Sequence, residues 1–117
     1  MSWRGVCRLE DLEPERGVAV LLGDRQVALF RTWDGGVHAT DHRDPFSGAN
    51  VMARGIVGTR GDVPTVASPM YKQAFDLRSG RCLDDAAVWL RVHDVRVSDG
   101  VVEVSLGEPH SARPDPS

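Results

Sequence analysis

The sequence predicts an all-β domain, and three observations carry that prediction. Its apolar residues gather in short, β-rich runs such as Gly17-Val18-Ala19-Val20-Leu21-Leu22. Turn-forming residues separate those runs, at Gly23-Asp24, Asp34-Gly35-Gly36 and Ser98-Asp99-Gly100,. No stretch repeats its apolar residues with the 3.6-residue period of an amphipathic helix. No internal repeat is visible either.

Taken in order, Trp3 to Arg8 reads as a first strand. Leu9 to Arg16 holds four acids and a proline, so it reads as a loop or one helical turn. The run from Gly17 to Leu22 and the run from Gln26 to Trp33 lie at hairpin distance across Gly23-Asp24,. Val37 to Thr40 supplies another strand, which completes an antiparallel meander. From His42 to Leu83 loops dominate, with short strands expected at Ile56–Val57, Thr65–Ala67 and Ala74–Leu77. Val88, Leu90 and Val92 then alternate with polar or larger residues, but the apolar set resumes at Val95 and Val97. That change of phase implies a bulge or bend near His93-Asp94, since a slip by one would turn the buried face outward. Ser98-Asp99-Gly100 closes a last hairpin into Val101–Leu106.

Residues 1–106 are therefore expected to form one domain, with a loop-rich subdomain at about 42–83,. Residues 107–117, with Pro109, Pro114 and Pro116, read as a disordered tail,. A hydrophobic content of 41% against 26% charged residues is that of a globular chain and excludes wholesale disorder,. A net charge of −3 offers no basic face for nucleic acid,. No apolar run approaches a membrane span, and the start lacks the shape of a signal peptide. Cys7 and Cys82 stand too far apart to chelate, and read as reduced, buried thiols rather than a disulfide,.

The remaining candidates for chemistry give way to plainer readings. His38 and His42 are four apart, a chelating spacing on a helix. On a strand they would stand roughly 13 Å apart, too far for one metal ion. His42 adjoins the first of the loops described next, where it offers itself as a substitute ligand, while His93 and His110 read as exposed. Adjacent acids such as Asp84-Asp85 point to opposite faces of a strand, so solvation explains them better than acid–base work. Gly55, Gly58 and Gly61 match neither a dinucleotide fingerprint nor a phosphate-binding loop,. No autonomous catalytic site is expected.

Two stretches organise the rest, Asp44-Pro45-Phe46-Ser47-Gly48 and Ser68-Pro69-Met70-Tyr71-Lys72-Gln73-Ala74-Phe75-Asp76-Leu77. Proline stiffens each and holds the residue before it extended. The first resembles the Cys-Pro-His-x-Gly loop of Rieske iron–sulfur domains, and the second resembles their Cys-Pro-x-His-Gly-x-x-Phe-Asp-Leu loop. In that family each loop gives one Cys and one His to a two-iron cluster. Carried over by position, the Cys sites fall on Asp44 and Ser68 and the His sites on Phe46 and Tyr71. All four ligands are thus replaced, while Pro45, Gly48, Gly55, Pro69, Phe75, Asp76, Leu77 and Gly80 keep the framework. The resemblance implies a Rieske-like antiparallel β-sandwich with a smaller loop-rich subdomain inserted. It implies no cluster, with Phe46 and Tyr71 packing into the vacated space.

A narrower resemblance covers residues 3 to 106. Asp-Pro-Phe-Ser-Gly-Ala-Asn-Val-Met, Arg-Gly-Ile-Val-Gly and the second loop, with the closing Val95–Val104 segment, are similar to small subunits of cytoplasmic NAD(P)H-dependent assimilatory nitrite reductase. What this implies is a non-catalytic partner of a large subunit that carries FAD, siroheme and a four-iron cluster and reduces nitrite to ammonia. A cluster-free module of another oxidoreductase, and a ferredoxin with unusual ligands, are the competing readings. The loop tip is the expected contact with the partner, through Pro45, Pro69 and Met70 flanked by Arg54 and Lys72.

Overall fold

The computed structural model describes residues 3–106. Its strands are β1 (Arg4–Arg8), β2 (Arg16–Leu22), β3 (Arg25–Arg31), β4 (Val37–Asp41), β5 (Ile56–Arg60), β6 (Val63–Ala67), β7 (Ala74–Asp76), β8 (Val92–Ser98) and β9 (Val101–Ser105). Short 3-10 turns occupy Leu9–Asp11 and Met52–Arg54. The sequence expectation of an all-β fold holds. The expected tail at 107–117 and His110 lie outside the described residues.

Gly23-Asp24 closes a tight hairpin in which Leu22 pairs with Arg25, and Gly23 takes the φ of +63° that glycine adopts without penalty,. β2, β3 and β4 follow one another as the anticipated meander. β4 then pairs with β8, and β8 with β9, giving the sheet order β1-β9-β8-β4-β3-β2. The small sheet β5-β6-β7 is inserted between β4 and β8.

β8 explains the phase change seen in the sequence. Val92 and His93 pair with Thr40 and Ala39 of β4, whereas Asp94 to Ser98 pair with β9. The strand passes from one neighbour to the other between His93 and Asp94. This handover folds the large sheet into a sandwich, and no local bulge is needed. The segment before it is not a strand. Leu90 reaches a core from irregular backbone, and Val97 lies on the surface at 44% exposure.

β3 is buried on both faces. Val27 and Leu29 enter a core with Leu12, Leu22, Ala39, Val102 and Val104, between the halves of the sandwich. Ala28 and Phe30 point the other way, into a core shared with Met52, Val57, Val66, Phe75 and Leu90. That second core fixes the small sheet to the large one. Gly17 pairs with Phe30, whose ring fills the space a side chain at 17 would need. Cys82 is buried and Cys7 half-buried, both as free thiols, so only Cys82 is the buried thiol expected. Burial, with the charge of Asp11, raises the Cys7 pKa.

His93 corrects an expectation, for it is buried and not exposed. Its Nε2 lies 2.8 Å from Asp41 Oδ1, so the ring joins β8 to β4 through side chains as well as backbone. Burial pushes the Asp41 carboxyl up, but the hydrogen bond and charge of His93, with Arg91 and Arg25, outweigh it and hold the pKa below the usual range.

Gly80 closes the turn after β7, where φ is +85° and the Leu90 amide donates to the Gly80 carbonyl at 2.7 Å. A Cβ there would collide with the Leu90 carbonyl oxygen. Gly80→Ala is expected to lower the unfolding free energy by about 2 kcal/mol. Urea denaturation of the full chain measures this, and a loss below about 0.5 kcal/mol would show that the turn relaxes freely.

Candidate functional site: the paired loop tip

The two proline loops share one hydrogen-bond pattern. In the first, the Asp44 amide donates to the Ala49 carbonyl at 2.8 Å, and the Gly48 amide to the Asp44 carbonyl at 2.8 Å. In the second, the Ser68 amide donates to Gln73 at 3.0 Å, and the Lys72 amide to Ser68 at 2.9 Å. The side chain of each leading residue accepts from the amide two places on. Phe46 donates to Asp44 Oδ1 at 2.9 Å and Met70 to Ser68 Oγ at 3.2 Å. Asp and Ser before proline favour such turns. The loops are structural copies, although the sequence shows no internal repeat.

The copies are joined at their first residues. Ser68 Oγ donates to Asp44 Oδ2 at 2.6 Å, and the same oxygen accepts from Ser47 Oγ at 3.1 Å. Asp44 and Ser68 are both fully buried. The Asp44 carboxyl therefore satisfies two hydroxyls and one amide, and the Ser68 hydroxyl both donates and accepts. The positions that hold the two thiolates in a Rieske domain are here bonded directly to each other.

These residues do not fit a two-iron cluster. The space between the leading residues is closed by a hydrogen bond of 2.6 Å. Phe46 has no donor atom, and Tyr71 points into solvent at 58% exposure,. Among the described residues no group of three or more His, Cys, Asp or Glu is placed to hold a metal ion. His42 offers no rescue: its Nδ1 accepts the Ala53 amide at 3.1 Å, which places the neutral ring's proton on Nε2 and leaves neither nitrogen with a free lone pair,. That contact, with the Met52 amide donating to the His42 carbonyl at 3.0 Å, fastens the Met52–Arg54 turn beneath the first loop. Burial, with the nearby Arg54 charge, lowers the His42 pKa, in the direction that favours an accepting ring.

The expectation that both aromatics fill the vacated space is half right. Phe46 is half-buried and lies against Phe75, ring centroids 6.0 Å apart, at the edge of the second core. Tyr71 does not pack inward. The loops meet through the short Asp44–Ser68 bond, which leaves no room between them for a second ring.

Of the expected partner residues, Pro45, Arg54, Met70 and Lys72 are exposed and Pro69 is half-buried. Tyr71 joins them on the surface. Lys72 stands where the Rieske loop has glycine, and its φ is +65°. A side chain in this left-handed region costs about 1–2 kcal/mol. Glu15 and Asp99 hold the same region, at φ of 63° and 52°, but neither lies at the loop tip.

A family model for the Rieske-like 2Fe-2S domain matches residues 2–105. The nitrite reductase (NADH) small subunit of Escherichia coli K12 is 40% identical over 104 residues, spanning 88% of this chain and 96% of that one. The chain belongs to the nitrite reductase small-subunit family. A crystal structure of a candidate small subunit of this family from Mycobacterium tuberculosis superposes with a TM-score of 0.84 at 53% identity, covering 88% of this chain and 93% of the other. A large subunit of the same enzyme from Klebsiella oxytoca is also similar, at 42% identity over 102 residues. That match spans 87% of this chain and 11% of the larger protein. In that relative a stretch like this small subunit is part of a much longer polypeptide.

For this small-subunit tip the two aromatics are expected to differ sharply. Phe46→Ala should cost about 2 kcal/mol, below the 3–5 kcal/mol of a fully buried ring. Tyr71→Ala should stay within about 0.5 kcal/mol of the parent. Chemical denaturation measures both, and equal losses would mean that the two rings share one environment.

Proposed function

We infer that this chain is the non-catalytic small subunit of an NAD(P)H-dependent nitrite reductase, and that its loop tip docks on the large catalytic subunit. The enzyme reduces nitrite to ammonium. FAD, siroheme and a four-iron cluster belong, in this reading, to the large subunit, and the complex works in the cytoplasm during nitrate assimilation. Free thiols at Cys7 and Cys82 suit a reducing compartment,. No helix among the described residues is long and apolar enough to cross a membrane. The Klebsiella relative supports association of the two subunits, since there the two kinds of sequence are covalently joined.

The observation that carries tip docking is Lys72. A rigid, buried cross-link presents Met70 at 50% and Tyr71 at 58% exposure beside Pro45, which is the composition of an interface core,. At its rim a lysine holds a backbone conformation that glycine would adopt freely. Strain at an exposed tip, beside apolar residues, supports use of that side chain in binding,.

Stability and binding should therefore separate. Met70→Glu is expected to leave thermal stability unchanged and to weaken association with the large subunit at least about tenfold, or 1.4 kcal/mol. Lys72→Gly should hold or raise stability, by up to about 1 kcal/mol, while also weakening association. Calorimetric titration and nitrite-reduction rates read both. Unaltered affinity and rate in the two variants would rule out tip docking and leave family membership untouched.

A further inference from the structure

A second surface adjoins the first loop and has no part in the tip. Arg25, Arg43 and Arg91 line an open groove of about 540 Å3 together with Asp41, and Asp24, Gln26 and Asn50 complete its wall. Its charged lining is three guanidiniums against two carboxylates. Arg25 Nη2 lies 3.5 Å and Arg91 Nε 3.6 Å from the single Asp41 carboxylate, which also meets His93 at 2.8 Å. Each guanidinium has five N–H groups, so one shared carboxylate leaves most of them unused. Arg43 makes no ion pair among the described residues, and its guanidinium lies over Gly48 of the first loop. Three arginines against Asp41 and Asp24 make the groove cationic on a chain whose net charge is −3.

We propose that this groove receives a carboxylate side chain from an acidic segment of the catalytic subunit, seated between Arg43 and the Arg25–Arg91 pair. The proposal rests on the large subunit being the partner, but it does not depend on the tip. Guanidinium groups pair with carboxylates in a two-pronged geometry, and such pairs fix register as well as adding energy. A protein-borne carboxylate suits the groove better than a free anion. The floor is open to water and built from side chains, so a small ion would trade good hydration for exposed contacts. A carboxylate carried on a docked subunit arrives at high effective concentration and meets the same arginines without that entropic cost. Arg43 directly precedes Asp44, so the groove borders the first loop without requiring contact there.

Arg43 is the cleanest probe because it is exposed and its loss leaves the Asp41 cluster intact. With the purified large subunit, Arg43→Glu is expected to weaken binding at least about tenfold at low salt. It should also flatten the fall of affinity with ionic strength. Arg43→Lys should retain most of the affinity, and all variants should keep the parent unfolding midpoint. Parent-like affinity and salt dependence in Arg43→Glu would overturn the proposal. If Met70→Glu still weakened binding, the tip would stand without the groove, and the reverse pattern would leave the groove without the tip. Titrating the isolated chain with inorganic pyrophosphate supplies the last arm. No saturation is expected, and saturable binding lost in Arg43→Glu would reassign the groove to a soluble anion.

Discussion

The buried carboxyl of Asp44 is the constraint on which the tip depends. It takes hydrogen bonds from the Phe46 amide and the Ser47 hydroxyl within its own loop, and from the Ser68 hydroxyl of the other. In Rieske domains a metal cluster cross-links these loops; here the cross-link is a hydrogen bond between the positions of its two cysteines. A buried polar pair of this kind is stable only when each group finds its partners, and both do. The consequence is geometric. Since the leading residues meet directly, no interior opens between the loops: Phe46 turns to the edge of the second core, and Met70, Tyr71 and Lys72 face solvent.

The tip is held at a fixed place on the sandwich by β3. Its alternate residues fill two separate cores, so Phe30 secures the small sheet while Leu29 secures the large one. His42, just after β4, continues this chain of contacts by accepting the Ala53 amide below the first loop. Rigid cores beneath and a short polar bond above leave the exposed residues as the part free to meet a partner.

Much of this was legible in the sequence. Turn residues at Gly23-Asp24 and Asp34-Gly35-Gly36 marked the meander because their backbone requirements are local. The phase change at His93-Asp94 was visible as well, but its cause was not, since a strand that changes neighbours and a strand that bulges shift the apolar pattern alike. The burial of His93 was hidden for a related reason: its partner Asp41 is 52 residues away and is found only when β4 and β8 pair. At the tip, the replaced ligand positions could be read from the motif. The bond between Asp44 and Ser68, 24 residues apart, could not, and without it Tyr71 looked like filling for a gap. The small polar residue before each proline was the available signal for twin turns.

The central claim is that Asp44 and Ser68 act as one unit in place of a metal cross-link. A double-mutant cycle with Asp44→Asn and Ser68→Ala, read as unfolding free energy by urea denaturation of the full chain, tests it most directly. Either change alone strands a buried polar group, so each should be costly and the second should cost much less once the first is made. The account predicts a coupling energy of about 1–2 kcal/mol between the two sites. Additivity within about 0.3 kcal/mol would contradict it, because the loops would then be held together by something other than that bond.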